Sequence, residues 1–435
     1  MAQVPRTRLE QHAQTAHLSV REFVDRFHAA AIECGEGKAH ISERQAKRWL
    51  AGESDLPRPV CRRVLEHWWA EPVSRLLGPP DSGVVSPNSS SMSEEELIVK
   101  AGRESVHHAI EAASALDPSA LEHLHDAAQR AARAYYVAPP LAMLTDLVRL
   151  RDTVYEQLDR THKPRQQTEL YLLAGLMCGL LSSVSWDLGH TEVAEEQARA
   201  AHTYGSVIDH PSLCAWARAL QATVMFWTAR PRRAASLAAT ALETAPAGTA
   251  RARLHSVHAR SLALIGARQE VRAALGAAAD ELQHAGNDLF LDEIGGELGF
   301  DHPRRALCAG SSFVALGDGE QAEAEATLAL ALFGEMPERS RWAAGELGAR
   351  VDLAAARTLR GDLAGAEDAL VPVFELDVER RTEALARRLT SLGCVLSTTR
   401  YRDAIEAIRI GDAIEDFTTR SLPHSGTRAI INSTT

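Results

Sequence analysis

Ser42-Glu-Arg-Gln45 opens a short segment in which Arg44, Lys47 and Arg48 recur at steps of three and four residues, followed at once by Trp49 and Leu50. On a helix this spacing turns Glu43, Arg44, Lys47 and Arg48 to one side and Ala46, Trp49 and Leu50 to the other. The chemistry available to such a face is hydrogen bonding and ion pairing rather than bond making. A guanidinium fork matches the O6/N7 edge of guanine or a phosphate, and an ammonium is a point charge suited to phosphate. Ser42 and Gln45 occupy the first and fourth places of a capping box, where capping competes with outward contacts for the same side chains. A solvated helix face would carry the same charges, so the positions around this segment have to decide.

A second set of residues suits recognition of an acidic ligand. Trp186 and Trp216, with Arg218, Arg251 and Arg253, fall in apolar helical stretches. There an aromatic face and guanidinium groups would fit a peptide with a free carboxylate or acidic side chains. The other role for each tryptophan is packing between helices. His107-His108, His123, His125 and the pair His255 and His258 are the histidine groups, but no third ligand stands at metal-site spacing, so no metal is expected. No Gly-x-Ser-x-Gly elbow and no glycine-rich phosphate loop after a strand is present, so neither catalytic residues nor a cofactor is expected. The six cysteines are scattered, which argues against a disulfide framework or a zinc ribbon.

The elements that position these residues are helical almost throughout. The 435 residues are 45% hydrophobic and 24% charged with a mean hydropathy of −0.18, values of a soluble globular chain of two or three domains. The N-terminus lacks the apolar centre of a signal peptide, and no apolar run of membrane-spanning length is evident, so a cytoplasmic protein without a membrane partner is expected. The net charge of −11 speaks against nucleic acid until its distribution is considered. Residues 1–80 hold twelve Lys/Arg against ten Asp/Glu, a net of +2, whereas the rest of the chain carries −13.

Composition divides the chain into residues 1–80, a Pro/Gly/Ser-rich linker at 81–96, a long helical region at 97–420 and a small polar tail at 421–435 that is expected to fray. In the first part, Ser19-Val-Arg-Glu22 is a further capping box, opening a helix expected to end at Gly35 or Gly37. The Ser42 helix is expected to end at Gly52. Helices near 9–16 and 59–77 complete a unit of four or five.

The long region repeats a pattern. A break residue (Gly189, Ala229, Gly266, Gly317, Gly361 and Thr399) is followed five residues later by Ala or Val, at intervals of 40, 37, 51, 44 and 38 residues. At the glycines a first helix must end in the left-handed conformation, and a small residue such as Ala194, Ala234, Ala322, Ala366 or Ala404 lets a second helix pack closely against it. The predicted fold class is therefore all-α, a short N-terminal helical domain followed by stacked helix pairs.

The fragments LGDGEQAEAEA and RGDLAGAEDAL resemble the tetratricopeptide repeat family, over roughly residues 165–417. ISERQAKRWLAGESDLPRP resembles the third helix and following turn of Xre-type helix-turn-helix domains, although the CGEGKAHI connection before it is longer than the usual tight turn. The combination resembles actinobacterial transcriptional regulators that join these two modules into a helix-turn-helix domain and a tetratricopeptide-like α-solenoid. The resemblance implies a double-stranded DNA operator contacted through Ser42, Arg44, Gln45, Lys47 and Arg48. It also implies a homodimer, and a signalling peptide, small molecule or protein partner in the repeat groove. The likeness to peptide-pheromone receptors favours a peptide. A repeat scaffold that binds proteins and no DNA is the alternative.

Overall fold

A computed structural model of the chain describes residues 5–53, 57–80, 94–112, 118–161, 163–284 and 288–422. Among these residues the protein is all-α, with 21 α-helices, three short 3-10 turns and no strand. It divides into two units, Met1–Ala101 and Gly102–Thr435.

The first unit begins with α1 (Arg8–Thr15), α2 (Val20–Glu33), α3 (Glu43–Leu50), α4 (Pro59–Trp69) and α5 (Val73–Leu76). Both serine caps form. Ser19 and Glu22 satisfy each other's backbone reciprocally, while the Ser42 hydroxyl accepts from the Gln45 amide at 3.3 Å. Gly35 and Gly52 end α2 and α3 at φ +78° and +68°, so the first of the two glycines offered for the end of α2 is the one used. The single helix expected over 59–77 is instead α4 and α5. Ala70 takes the left-handed conformation, and Glu71 beyond it receives both Arg8 guanidinium donors at 2.6 and 2.7 Å. That bidentate bond to Arg8, with the nearby positive charges of Arg8, His12 and Arg75, holds the Glu71 carboxyl down at about 2. Phe23, Phe27, Trp49, Val64, Leu65 and Leu76 form the buried centre.

Residues 81–93 of the expected linker lie outside the described residues. Its last three residues are helical, because α6 (Glu94–Ala112) starts at Glu94 and runs across the division between the units.

The second unit continues with α7 (Pro118–Ala134) and α8 (Pro140–Arg160), followed by six helix pairs. These are α9 (Pro164–Asp187) with α10 (Thr191–Val207), α11 (Pro211–Trp227) with α12 (Pro231–Leu242), and α13 (Thr249–Ala263) with α14 (Arg268–His284). After the short α15 (Leu291–Ile294) and a 3-10 turn at Gly296–Leu298 come α16 (His302–Ala315) with α17 (Gly319–Glu335), α18 (Ala343–Arg360) with α19 (Leu363–Phe374), and α20 (Glu383–Leu396) with α21 (Ile405–Thr419). Each first helix packs on the first helix of the next pair. The last also reaches the earliest two pairs: an Arg387 guanidinium N–H donates to the Trp227 carbonyl at 2.8 Å, and Arg387 lies over the Trp186 ring.

The turn chemistry explains why the Gly-Asp steps recur. Gly317, at φ +70°, donates its N–H to the Val314 carbonyl, and Asp318 donates its own to Phe313, closing the C-terminus of α16. The Asp318 carboxylate then accepts from the Gln321 amide and caps α17. One dipeptide thus ends one helix and starts the next, and Gly361-Asp362 does the same between α18 and α19. Ala194, Ala234, Val271, Ala322 and Ala366 are fully buried at the close approach that follows. The Thr399 break departs from the pattern. There the chain needs residues 397–404 to turn, α21 starts only after Ala404, and Ala407 is the buried alanine. The end of the second unit is anchored rather than frayed as far as Leu422, whose N–H donates to the Arg381 carbonyl, with Ser421 fully buried; residues 423–435 of the expected tail lie outside the described residues.

α9 has the length and apolar composition of a membrane span, contrary to expectation, but 78% of its most apolar stretch is covered by neighbouring helices. Gly179 on α9 is the floor under Trp216 of α11: a Cβ there would lie 2.1 Å from the indole ring. Gly179→Ala is expected to cost about 1–3 kcal/mol through overpacking, read as a lower midpoint in urea unfolding.

Candidate functional site

α3 is two turns long, and packing fixes its orientation. Ala46, Trp49 and Leu50 are buried, with the Trp49 ring 5.9 Å from Phe27 of α2, and the buried Thr7 hydroxyl donates to the Leu50 carbonyl at 2.7 Å. With that face fixed inward, Arg44, Lys47 and Arg48 are exposed, as is Ser42, and Gln45 is half-buried. Arg44 and Lys47 make no ion pair among the described residues, so their donors are available to a ligand. Arg48 is partly committed, since its guanidinium donates to the Glu53 carbonyl past the end of its own helix. Ser42 is committed to its cap. The connection from α2 to α3 spans nine residues, and its buried Ala39 and Ile41, with the Ile41 amide donating to His28 Nε2, tie it to the core.

In the second unit the first helices of all six pairs converge on a cavity of about 150 Å³. At about 10–15 Å³ for each water, it has room for roughly ten waters or a small molecule. Trp186, Trp227, Trp342 and Phe300 supply aromatic walls, and Arg253, Arg260, Arg304 and Arg388 supply guanidinium groups. The segment that lengthens the interval between Gly266 and Gly317 to 51 residues folds back against this cavity and brings Glu297 into it. Gly296 beside it has φ +55°, and a Cβ there would sit 2.1 Å from the Ala132 carbonyl oxygen, so this approach admits only glycine. Arg133 from the end of α7 and Tyr136 from the turn after it hold the segment through the carbonyls of Ile294, Glu293 and Gly296.

The charges in the cavity are unevenly matched. Arg304 pairs with Glu297 at 3.3 Å, and Glu297 also accepts from Ser183. Arg388 pairs with Asp352 and reaches the Ser311 hydroxyl. Arg253 is buried and donates to the carbonyls of Glu297, Leu298 and Gly299, which satisfy hydrogen bonds without neutralising charge. Arg260 lies over the rings of Phe226 and Trp227, 4.5 and 5.0 Å from their centroids, and forms no ion pair among the described residues. Burial, then the neighbouring guanidinium, lowers Arg253 and Arg260 to about 10, so both stay protonated at neutral pH.

Asp187, at the cavity wall, accepts from the Tyr135 hydroxyl at 2.6 Å. Burial, opposed in part by this bond and reinforced by the Glu297 charge, raises its carboxyl to about 7. Because the folded state binds this proton more tightly than the unfolded chain, the group favours folding fully below about pH 4, and its contribution is lost as pH rises toward 7. Asp187→Asn is expected to flatten that part of the dependence of urea stability on pH.

Of the five residues expected to bind a ligand, Trp186 and Arg253 line the cavity and the other three do not. Trp216 is a fully enclosed core side chain over Gly179; the apolar periodicity that made it a candidate is that of packing. Arg251 is turned to the Ala245 carbonyl and to Glu281, and Arg218 to Gln221 on its own helix. Arg260, Arg304, Arg388 and Glu297 were not singled out by the sequence; the over-long interval after Gly266 was the signal that something is inserted there. No protein-family model matches the chain, and no curated protein matches it either.

Proposed function

We propose that the chain is a DNA-binding transcriptional regulator: a helix-turn-helix domain at residues 1–80, read through α3, joined to a tetratricopeptide-like α-solenoid that senses a ligand and mediates dimerisation. The observation that carries this reading is α3, a capped helix whose buried Trp49 and Leu50 leave Arg44 and Lys47 exposed and unpaired among the described residues. The six stacked pairs, five of them with a left-handed break and a buried small residue after it, support the solenoid, and the cavity supports sensing. A homodimer follows from energetics, since one such module buries little surface, whereas two read half-sites about 34–36 Å apart.

Binding to mixed double-stranded fragments, titrated with salt, tests the reading. Phosphate contacts by a protein that is acidic overall must come from a local basic face, and they give a steep negative slope of log affinity against log salt. Fragments that are not retained at any salt concentration would favour the protein-binding scaffold.

A further inference from the structure

We propose that the cavity enclosed by the first helices of the six pairs binds a small organic monoanion with a flat apolar body, such as an aromatic carboxylate. The inference rests on the sensing function proposed above and gives it a ligand class.

Three observations converge. Four guanidinium groups face two carboxylates that pair with them, Glu297 with Arg304 and Asp352 with Arg388, which leaves the charges of Arg253 and Arg260 without a counter-ion among the described residues. Asp187, the other carboxylate in the cavity lining beside Glu297, is occupied by the Tyr135 hydroxyl and is largely protonated below neutral pH, and Asp301 acts on Arg304, which Glu297 already pairs. The buried Arg253 cation, and to a lesser degree the half-buried Arg260, are costly until an anion joins them, which makes the surplus charge a driving force for binding an anion and a barrier to a cation. The Arg253 Nε of this cavity-lining arginine is buried with no hydrogen-bond partner, a donor still unsatisfied.

The walls decide the rest of the ligand. Trp186 and Trp227 stack with ring centroids 5.9 Å apart, and Arg260 lies on the second of them, so a planar group entering beside the indoles would bring its carboxylate within reach of a guanidinium already oriented by stacking. Inorganic phosphate would gain the charge but leave these apolar walls wet, and the cavity volume is too small for more than the end of a peptide.

The test uses the full chain with benzoate and indole-3-acetate as probes, against benzamide, tryptamine and inorganic phosphate. Melting temperature is the readout for all five probes, and tryptophan fluorescence for benzoate, benzamide and phosphate, which carry no indole. The two carboxylates should raise the melting temperature, and benzoate should change the emission, whereas the three controls should not raise the melting temperature and benzamide and phosphate should leave the emission as it was at equal concentration. Arg260→Met should weaken benzoate binding by roughly tenfold or more through loss of a charge-assisted hydrogen bond. The proposal is overturned if benzamide or phosphate binds as well as benzoate, if neither carboxylate binds, or if the folded variant binds benzoate unchanged. Selectivity among the probes is read on the unaltered chain, so a misfolded variant does not decide the matter. DNA affinity with and without benzoate separates the two readings. Benzoate binding that leaves DNA affinity unchanged upholds the site and removes its regulatory role, and loss of the site alone leaves DNA binding standing.

Discussion

Arg44→Ala and Lys47→Ala should each weaken binding to duplex DNA by about 1–3 kcal/mol, the range for a side chain that reads a base edge, and the double variant should retain little specific binding. Neither substitution touches the core, because both side chains point away from Ala46, Trp49 and Leu50, so the melting temperature of the chain should stay within about 1 °C of the parent. The two should differ in kind. If Arg44 reads a base, its loss relaxes sequence preference, whereas if Lys47 holds a phosphate, its loss weakens all sequences alike and flattens the salt slope. Arg48→Ala should have a smaller effect on DNA, since part of its hydrogen bonding already goes to the Glu53 carbonyl. Gel-shift titrations of the three variants measure this.

Arg304→Met should cause the largest loss of stability. Arg304 is 4% exposed and pairs with Glu297, and its guanidinium also donates to the carbonyls of Gly296, Glu297 and Gly299 while lying over the rings of Tyr136 and Trp342. Its removal leaves a buried carboxylate unpaired and several carbonyls short of a donor, a loss of about 3–5 kcal/mol. Calorimetry should show a fall in melting temperature on the order of 10 °C. Adding Glu297→Leu should recover part of that loss, because the uncompensated charge goes with it. A stability unchanged by Arg304→Met would mean that the segment after α15 does not depend on this pair.

The features legible in the sequence are those written within a few residues of one another. Ser19 with Glu22, Gly52 after Leu50, and the Gly-Asp steps at 317 and 361 each combine a cap with a backbone conformation, and both parts of that chemistry are local. The exposed and buried sides of α3 follow from the same short period. Where the local signal was incomplete, the expectation missed: α4 and α5 separate at Ala70, a left-handed alanine that no composition rule marks, and the Thr399 break, where no residue takes the left-handed conformation, has a longer turn than the Ala229 break, whose alanine does take it.

The cavity was legible only in part, because it is a property of the stack. Trp186 and Arg387 are two hundred residues apart and meet because the last pair returns to the first, an outcome fixed by the small rotation at each of five interfaces rather than by any one segment. The helical period alone does not separate a tryptophan that faces the cavity, Trp227, from one that fills the space over Gly179, Trp216. The charged residues were hidden for a related reason. Arg260 and Arg304 lie in arginine-containing helices of ordinary appearance, and only their surroundings, the aromatic rings against half-buried Arg260 and the near-complete burial of Arg304, distinguish them from surface arginines.

The central claim, that residues 1–80 read duplex DNA through α3, is tested most directly by selecting from a pool of random-sequence duplexes with the full chain and, in parallel, with the Arg44→Ala/Lys47→Ala double variant. The parent chain is expected to enrich one motif, two inverted half-sites centred about 10 base pairs apart or a multiple of that spacing, and the double variant is not. Equal enrichment by both proteins, or none by either at low salt, would contradict it.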